Sequence, residues 1–106
     1  MSIPEITAAD FLARRNQGET LTLLDVREDW EVAVANVAGT VHIPMGQVAD
    51  RTGELNRDAE IVVLCRSGRR SLEVAKYLQA QGFTVLNLTG GILAWSRDLD
   101  PSIPAY

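Results

Sequence analysis

Short runs of apolar residues recur along the chain, separated by polar or glycine-containing segments. Two of them, Leu21 to Val26 and Ile61 to Leu64, are nearly continuous rather than alternating. Such runs are typical of strands covered on both faces, as in a parallel sheet. Two further segments of strand character, at 39–44 and 83–88, complete the predicted strands.

Helical patterns lie between these predicted strands. Thr7 is placed to cap a helix that begins near Ile6 and stops at Gly18. A second helix is predicted over 71–81, where apolar residues share one face and a glycine follows. Shorter helices are predicted at 28–35 and 92–97. Strands that alternate with helices imply an α/β fold, with a parallel sheet and helices on both faces.

Length and charge narrow the possible domain organisation and partners of the protein. The chain has 106 residues, so we expect one domain over 1–106. Its net charge of −4 argues against nucleic acid or an anionic membrane as partner. No apolar run approaches the ~20 residues needed to span a bilayer. The first residues lack the basic and apolar pattern of a signal peptide, so a cytoplasmic location is expected.

The candidate chemistry centres on Cys65, the one cysteine in the chain. It stands at the carboxyl end of a predicted strand, where active sites of open α/β sheets lie. The loop from Cys65 to Arg70 can turn its N–H groups inward, with Gly68 free to adopt positive φ. The next helix, predicted from Ser71, directs its positive dipole end to the same point. These features favour a reactive thiolate over a buried structural cysteine.

We therefore predict Cys65 as the catalytic residue, carrying sulfur as a persulfide. The same inward N–H groups would stabilise that anion. The predicted persulfide-binding loop comprises Arg66, Ser67, Gly68, Arg69 and Arg70, whose three arginines would attract an anionic donor. Supporting residues are Asp25, Arg27 and Ser71; the first two are interpreted chiefly as a structural ion pair. No Cys/His cluster has metal-ligand spacing, and no metal or cofactor is expected.

Several motifs together resemble those of a rhodanese domain, in the order and spacing of that family. They are Leu24 to Glu28, Gly39, Ile43-Pro44, Cys65 to Ser71, and Gly90-Gly91-Ile92 with Trp95. The resemblance covers nearly the whole chain. It implies a rhodanese-like, five-stranded parallel sheet and a thiosulfate sulfurtransferase-type enzyme. The implied donor is thiosulfate or a persulfide; the implied acceptor is a thiol, cyanide or a sulfur-carrier protein.

The sequence departs from the family pattern at a few positions. Asn36 and Ala38 stand where His and Pro are usual, in a segment that is mostly architectural. Ser67 stands where vertebrate thiosulfate-specific members have Lys, which leaves the physiological donor open. The ending from Leu88 to Tyr106 looks more like rhodanese domains fused to adenylyltransferases. That likeness favours a sulfur-carrier protein as acceptor.

Two other functions compete with sulfur transfer. A cysteine phosphatase or arsenate reductase of related fold needs Arg at the sixth position after its cysteine. That position is Ser71 here, and Arg70 comes one residue early, which gives a tighter loop suited to one sulfur atom. A non-catalytic rhodanese-like binding module is the second alternative. Such modules commonly lack the cysteine, and this chain retains it.

Three other residues have simpler interpretations. His42 lies between apolar neighbours on a short strand and is expected to be a hydrogen-bonded structural histidine rather than a base. Trp30 and Trp95 are expected to be packing residues.

Overall fold

In the computed structural model, which describes residues 2–106, five parallel strands form one sheet. In chain order the strands are β1 (Glu5–Ile6), β2 (Leu21–Asp25), β3 (Thr40–His42), β4 (Glu60–Leu64) and β5 (Val85–Leu88). Their order across the sheet is β1-β5-β4-β2-β3. The two strands with continuous apolar runs, β2 and β4, are therefore interior strands, buried on both faces. The predicted parallel α/β sheet is confirmed.

Helices cover both faces of this sheet. They are α1 (Ala8–Asn16), α2 (Asp29–Val34), α3 (Arg69–Ala80) and α4 (Gly91–Asp98). One apolar cluster joins inward residues of β4 such as Ile61 and Val63 to Leu78 of α3. The other joins Val62 of the same strand to Phe11 of α1 and Ile92 of α4, among others. Alternate residues of β4 thus point to opposite layers, as the two-residue period of a strand requires.

The structure corrects several predicted details. Helix α3 begins at Arg69 rather than Ser71, because Gly68 has φ 105° and starts the helix two residues earlier. The Cys65 loop therefore ends at Gly68, and Arg69 and Arg70 belong to the first helical turn. Strand β1 was not predicted. Trp30 is 62% exposed, so its interpretation as a packing residue is wrong, whereas Trp95 is buried as expected.

Local capping determines where the first helices begin. The Thr7 side chain accepts a hydrogen bond from the backbone N–H of Asp10, as predicted for the start of α1. A reciprocal capping box between Glu28 and Glu31 starts α2. No helix within residues 2–106 has the length and apolar character needed to cross a bilayer.

Candidate active site

Cys65 lies directly after β4, at the edge of the sheet where β2 and β5 also end. Its side chain is almost completely buried, with 1% of the residue exposed. The chain then turns through Arg66 and Ser67 to Gly68, whose left-handed conformation disfavours any side chain. The turn directs the backbone N–H groups of Ser67, Gly68 and Ser71 toward the sulfur atom.

The Cys65 sulfur takes part in a closed set of hydrogen bonds. The Gly68 backbone N–H donates to Sγ over 3.1 Å. The thiol donates to Ser71 Oγ over 3.2 Å, and the Ser71 hydroxyl donates to Oδ1 of Asn87 over 2.5 Å. The Asn87 Nδ2 group then donates to the Gly68 carbonyl over 3.0 Å. Asn87 on β5 thereby connects both groups that contact the sulfur.

These contacts change the acidity of Cys65. Burial raises the pKa of the thiol because it disfavours the charged form. Hydrogen bonds from the Ser71 side chain and from the backbone N–H groups of Ser71, Gly68 and Ser67 outweigh burial. The pKa of Cys65 is therefore lower than its ordinary value. A lowered pKa increases the fraction of nucleophilic thiolate at neutral pH.

Helix α4 supports the loop through two backbone hydrogen bonds. The N–H of Ile92 donates to the Cys65 carbonyl over 2.9 Å, and that of Leu93 to the Arg66 carbonyl over 3.2 Å. The approach requires Gly91, since a Cβ there would lie 2.4 Å from the Arg66 carbonyl oxygen. Because these two carbonyls point toward α4, the loop is held in one orientation.

The three arginines around the loop have different environments. Arg70 donates two hydrogen bonds to the buried Glu31, over 2.6 and 2.7 Å. Arg66 is exposed and donates from Nε to the main-chain oxygen of Tyr106 over 2.6 Å. Arg69 is exposed, and its side chain makes no hydrogen bond or ion pair within residues 2–106. Two of the three guanidinium groups are thus held by other parts of the chain.

Asp25 and Arg27 form the predicted ion pair. Both side chains are fully buried, and Arg27 Nη2 lies 2.7 Å from Asp25 Oδ2. Arg27 also donates to the backbone carbonyls of Glu31 and Ala35, which fixes the end of α2 beside β2. Neither side chain has a hydrogen bond to Cys65 among the described residues. His42 is satisfied structurally, since its Nε2 lies 2.7 Å from the Arg27 carbonyl oxygen.

Three residues of this region were not predicted from the sequence, namely Glu31, Asn87 and Tyr106. Asn87 gave a usable signal, because it is a polar residue within an otherwise apolar strand. Glu31 holds Arg70 across 39 positions and Tyr106 holds Arg66 across 40 positions, and no local pattern indicates such pairs. Glu31 has a strongly lowered pKa of about 2, caused first by its hydrogen bonds from Arg70.

Comparisons with known proteins point to one family. The Rhodanese-like domain family matches residues 7–98. YtwF from Bacillus subtilis is 44% identical over 95% of this chain and 98% of its own length. A protein from Allochromatium vinosum named Sulfurtransferase is 36% identical over 90% of each chain. The Zea mays protein Adenylyltransferase and sulfurtransferase MOCS3-1 is 31% identical over 95% of this chain, but only 23% of its own length is matched.

A solved structure also shares the fold. The rhodanese-related protein from Thermoplasma volcanium superposes with a TM-score of 0.84 and 28% identity, covering 97% of this chain and 99% of its own. The fold, the match over 7–98 and the sulfurtransferase names among its relatives together show that this chain belongs to the rhodanese-like domain family.

Proposed function

We propose that the protein transfers sulfane sulfur through a persulfide on Cys65. With thiosulfate as donor, the Cys65 thiolate attacks the outer sulfur of thiosulfate. The new S–S bond forms on Cys65 as the old one breaks, and sulfite leaves with the electron pair. An acceptor such as cyanide or a thiolate then attacks the outer sulfur, and the Cys65 thiolate is restored. The oxidation and reduction balance between the transferred sulfur and its partners, so the proposed reaction needs no external oxidant or reductant, and no metal or cofactor.

The observation that carries this proposal is the set of hydrogen bonds around Sγ. The backbone N–H of Gly68 and the hydroxyl of Ser71 lie 3.1 and 3.2 Å from the sulfur, respectively. In the thiolate state the Ser71 hydroxyl can rotate to donate to the sulfur. Of these two donors, the Gly68 N–H is already oriented and stabilises an anion without having to rearrange during the reaction. Both donors would also lower the energy of the terminal anion of a persulfide.

A sulfur-carrier protein is the acceptor that we propose beside small thiols and cyanide. Support comes from the ending that resembles adenylyltransferase-fused members and from the named maize relative. A small anionic donor is supported by Arg69, an exposed cation on the first turn of α3. The domain is proposed to extend over 1–106, beyond the 7–98 of the family match, since Ile3 and Ile103 are part of the core.

The Cys65 site fits phosphate transfer less well than sulfur transfer. A phosphatase loop needs an arginine fork free to hold the oxyanion through two parallel bonds. Arg70 is the arginine nearest in sequence to that position, and Glu31 already accepts two hydrogen bonds from it. Ser71, the next residue, places its hydroxyl oxygen 3.2 Å from the Cys65 sulfur. The geometry favours a bound sulfur atom over a bound phosphate.

The test is to incubate the protein with thiosulfate and cyanide. Thiocyanate should form, and intact-mass spectrometry should show the gain of one sulfur atom before cyanide is added. Cys65→Ser should lose both signals while keeping the thermal transition of the parent. Absence of loading from thiosulfate and from a low-molecular-weight persulfide would contradict the proposal. Hydrolysis of p-nitrophenyl phosphate that disappears in Cys65→Ser would instead favour phosphatase activity.

A further inference from the structure

The segment after α4 returns across the molecule to the Cys65 loop. It is attached on the way by the Ser96 hydroxyl, which donates to the Ile103 carbonyl over 2.5 Å. Ile103 is itself buried in the apolar cluster of α1 and α4. The segment then presents Tyr106, half-buried, between α2 and the loop. The position of Tyr106 is therefore set by packing along the segment as well as by its own contacts.

The Tyr106 side chain is anchored to α2 and to the buried ion pair. Its hydroxyl donates to Oε2 of Glu31 over 2.6 Å and accepts from Nη1 of Arg27 over 3.1 Å. Its ring also meets the exposed Trp30 edge to face, with 5.9 Å between centroids. A tyrosine with both hydroxyl roles satisfied by buried charged residues is held in one place.

The anchored Tyr106 determines whether Arg66 is available to bind an anion. Arg66 Nε and Nη2 both donate to the main-chain oxygen of Tyr106. The Arg66 guanidinium also lies 5.3 Å from the centre of the Tyr106 ring, within cation–π distance. Arg66 directly follows Cys65, yet two of its donors and one face of its guanidinium already contact Tyr106. An anionic donor must compete with Tyr106 for this cation.

We propose that Tyr106 determines the charge selectivity of the Cys65 site by occupying Arg66. The consequence for sulfur donors rests on the proposed sulfur transfer, whereas the electrostatic effect on the Cys65 site does not. With Tyr106 seated, Arg69 is the arginine available to a small anion, and preference for anionic donors is moderate. With Tyr106 displaced, Arg66 is released and the site prefers anions more strongly.

The test compares two alkylating reagents of nearly equal size, iodoacetate and iodoacetamide. Both react with the Cys65 thiolate, so their rate ratio cancels differences in access and in thiolate fraction. The ratio is normalised to that of N-acetylcysteine. Tyr106→Ala keeps the main-chain oxygen that Arg66 contacts. It removes the ring and the hydroxyl bonds that hold that oxygen in place, and should raise the ratio about fivefold, as expected for one freed cation at short range near a protein surface. Tyr106→Phe, which keeps the ring but loses the hydroxyl bonds, should raise the ratio less.

A double variant tests whether Arg66 mediates the effect of Tyr106. In an Arg66→Ala background, Tyr106→Ala should leave the ratio unchanged, because no cation is released. Tyr77→Ala removes a different exposed tyrosine, on α3, and should not alter the ratio. An unchanged ratio in both folded Tyr106 variants overturns the proposal, as does an increase that persists without Arg66. Because alkylation needs no sulfur donor, the result holds whether or not the protein forms a persulfide.

Discussion

Asn87 accepts a 2.5 Å hydrogen bond from the hydroxyl of Ser71, and both side chains are buried at the end of the sheet. Ser71 has one hydroxyl proton for two acceptors, the Asn87 oxygen and the Cys65 sulfur. In the thiol state the Ser71 hydroxyl donates to the Asn87 oxygen. In the thiolate state it can donate to the sulfur instead, after rotation about the Cβ–Oγ bond. The pair therefore couples β5 to the ionisation of Cys65.

Ser71→Ala should make Cys65 less acidic. Removing the hydroxyl leaves burial opposed only by backbone N–H groups, so the pKa of the thiol should rise. Loss of one hydrogen bond to a charged group, ~1.5 kcal/mol, corresponds to about a tenfold smaller thiolate fraction at neutral pH. Absorbance at the thiolate band followed against pH measures this change.

Ser67→Ala is the matched control, because Ser67 is exposed and supplies only its backbone N–H to the sulfur. It should titrate like the parent. Equal titration curves for Ser71→Ala and Ser67→Ala would mean that the Ser71 hydroxyl does not stabilise the thiolate.

Gly91→Ala should damage both stability and the site. The new Cβ would lie 2.4 Å from the Arg66 carbonyl oxygen and 2.5 Å from that of Cys65, at a φ of +59°. Backbone atoms cannot yield as a flexible side chain does, so overpacking and left-handed strain should together cost ~2–4 kcal/mol. Urea unfolding measures the loss, and alkylation kinetics of Cys65 should change with it.

Gly46→Ala provides the comparison. No atom lies within 4 Å of the added Cβ at Gly46, which has no left-handed φ. Its free energy of unfolding should stay within ~0.5 kcal/mol of the parent, as is usual for surface substitutions. If Gly91→Ala behaves like Gly46→Ala, then α4 does not hold the loop in the way described.

The Glu31 carboxylate should make stability depend on pH in the acid range. Its folded pKa is about 2, lowered first by the hydrogen bonds from Arg70 and further by the Tyr106 hydroxyl, against an ordinary value of 4.5. The stabilisation is fully present above pH ~4.5 and is lost as the pH falls toward about 2, because the unfolded state then binds the proton first. At ~1.4 kcal/mol for each pKa unit, the contribution is about 3 kcal/mol.

Glu31→Gln removes the titrating group with little change of shape. Its stability deficit should be largest at neutral pH and should shrink between pH ~4.5 and 2, as urea titrations at several pH values would show. Glu73→Gln, on the exposed face of α3, should show little deficit at any of these values. A deficit for Glu31→Gln that does not depend on pH would contradict the assignment.

Asp25→Ala should destabilise the fold more than loss of an exposed ion pair. Arg27 would remain fully buried without its carboxylate, and breaking a buried pair from one side costs ~3–5 kcal/mol. Arg51→Ala, which breaks the exposed pair with Glu54, should cost at most ~1 kcal/mol. Chemical denaturation distinguishes the two, and similar losses would mean that the buried pair has no special structural role.

The features that the sequence predicts best are those defined by neighbouring residues. The apolar runs of β2 and β4 identify interior strands because both faces of an interior strand need apolar side chains. The Cys65 loop could likewise be predicted from one uninterrupted segment. The start of α3 could not be placed as well, since it depends on the left-handed conformation that Gly68 actually adopts.

Features that join distant segments escaped prediction. Strand β1 has two residues, and its pairing with β5 depends on bonds such as that from the Asn87 N–H to the Pro4 carbonyl. The loop arginines were expected to act together as a positive field. Glu31 and Tyr106 instead engage Arg70 and Arg66 from 39 and 40 positions away, and only the folded chain brings these groups together.

The support of the loop by α4 has a consequence for biosynthesis. Ile92 and Leu93, whose N–H groups bind the carbonyls of Cys65 and Arg66, follow the cysteine by more than two dozen residues. During synthesis from the N-terminus, Cys65 emerges from the ribosome before Asn87 and α4, which complete its surroundings. A nascent chain should therefore carry an ordinary, weakly acidic thiol. The groups that lower the Cys65 pKa lie within residues 67–71, and Asn87 and α4 fix their arrangement once the last third of the sequence has folded. We expect reactive sulfur chemistry to develop fully only at that stage.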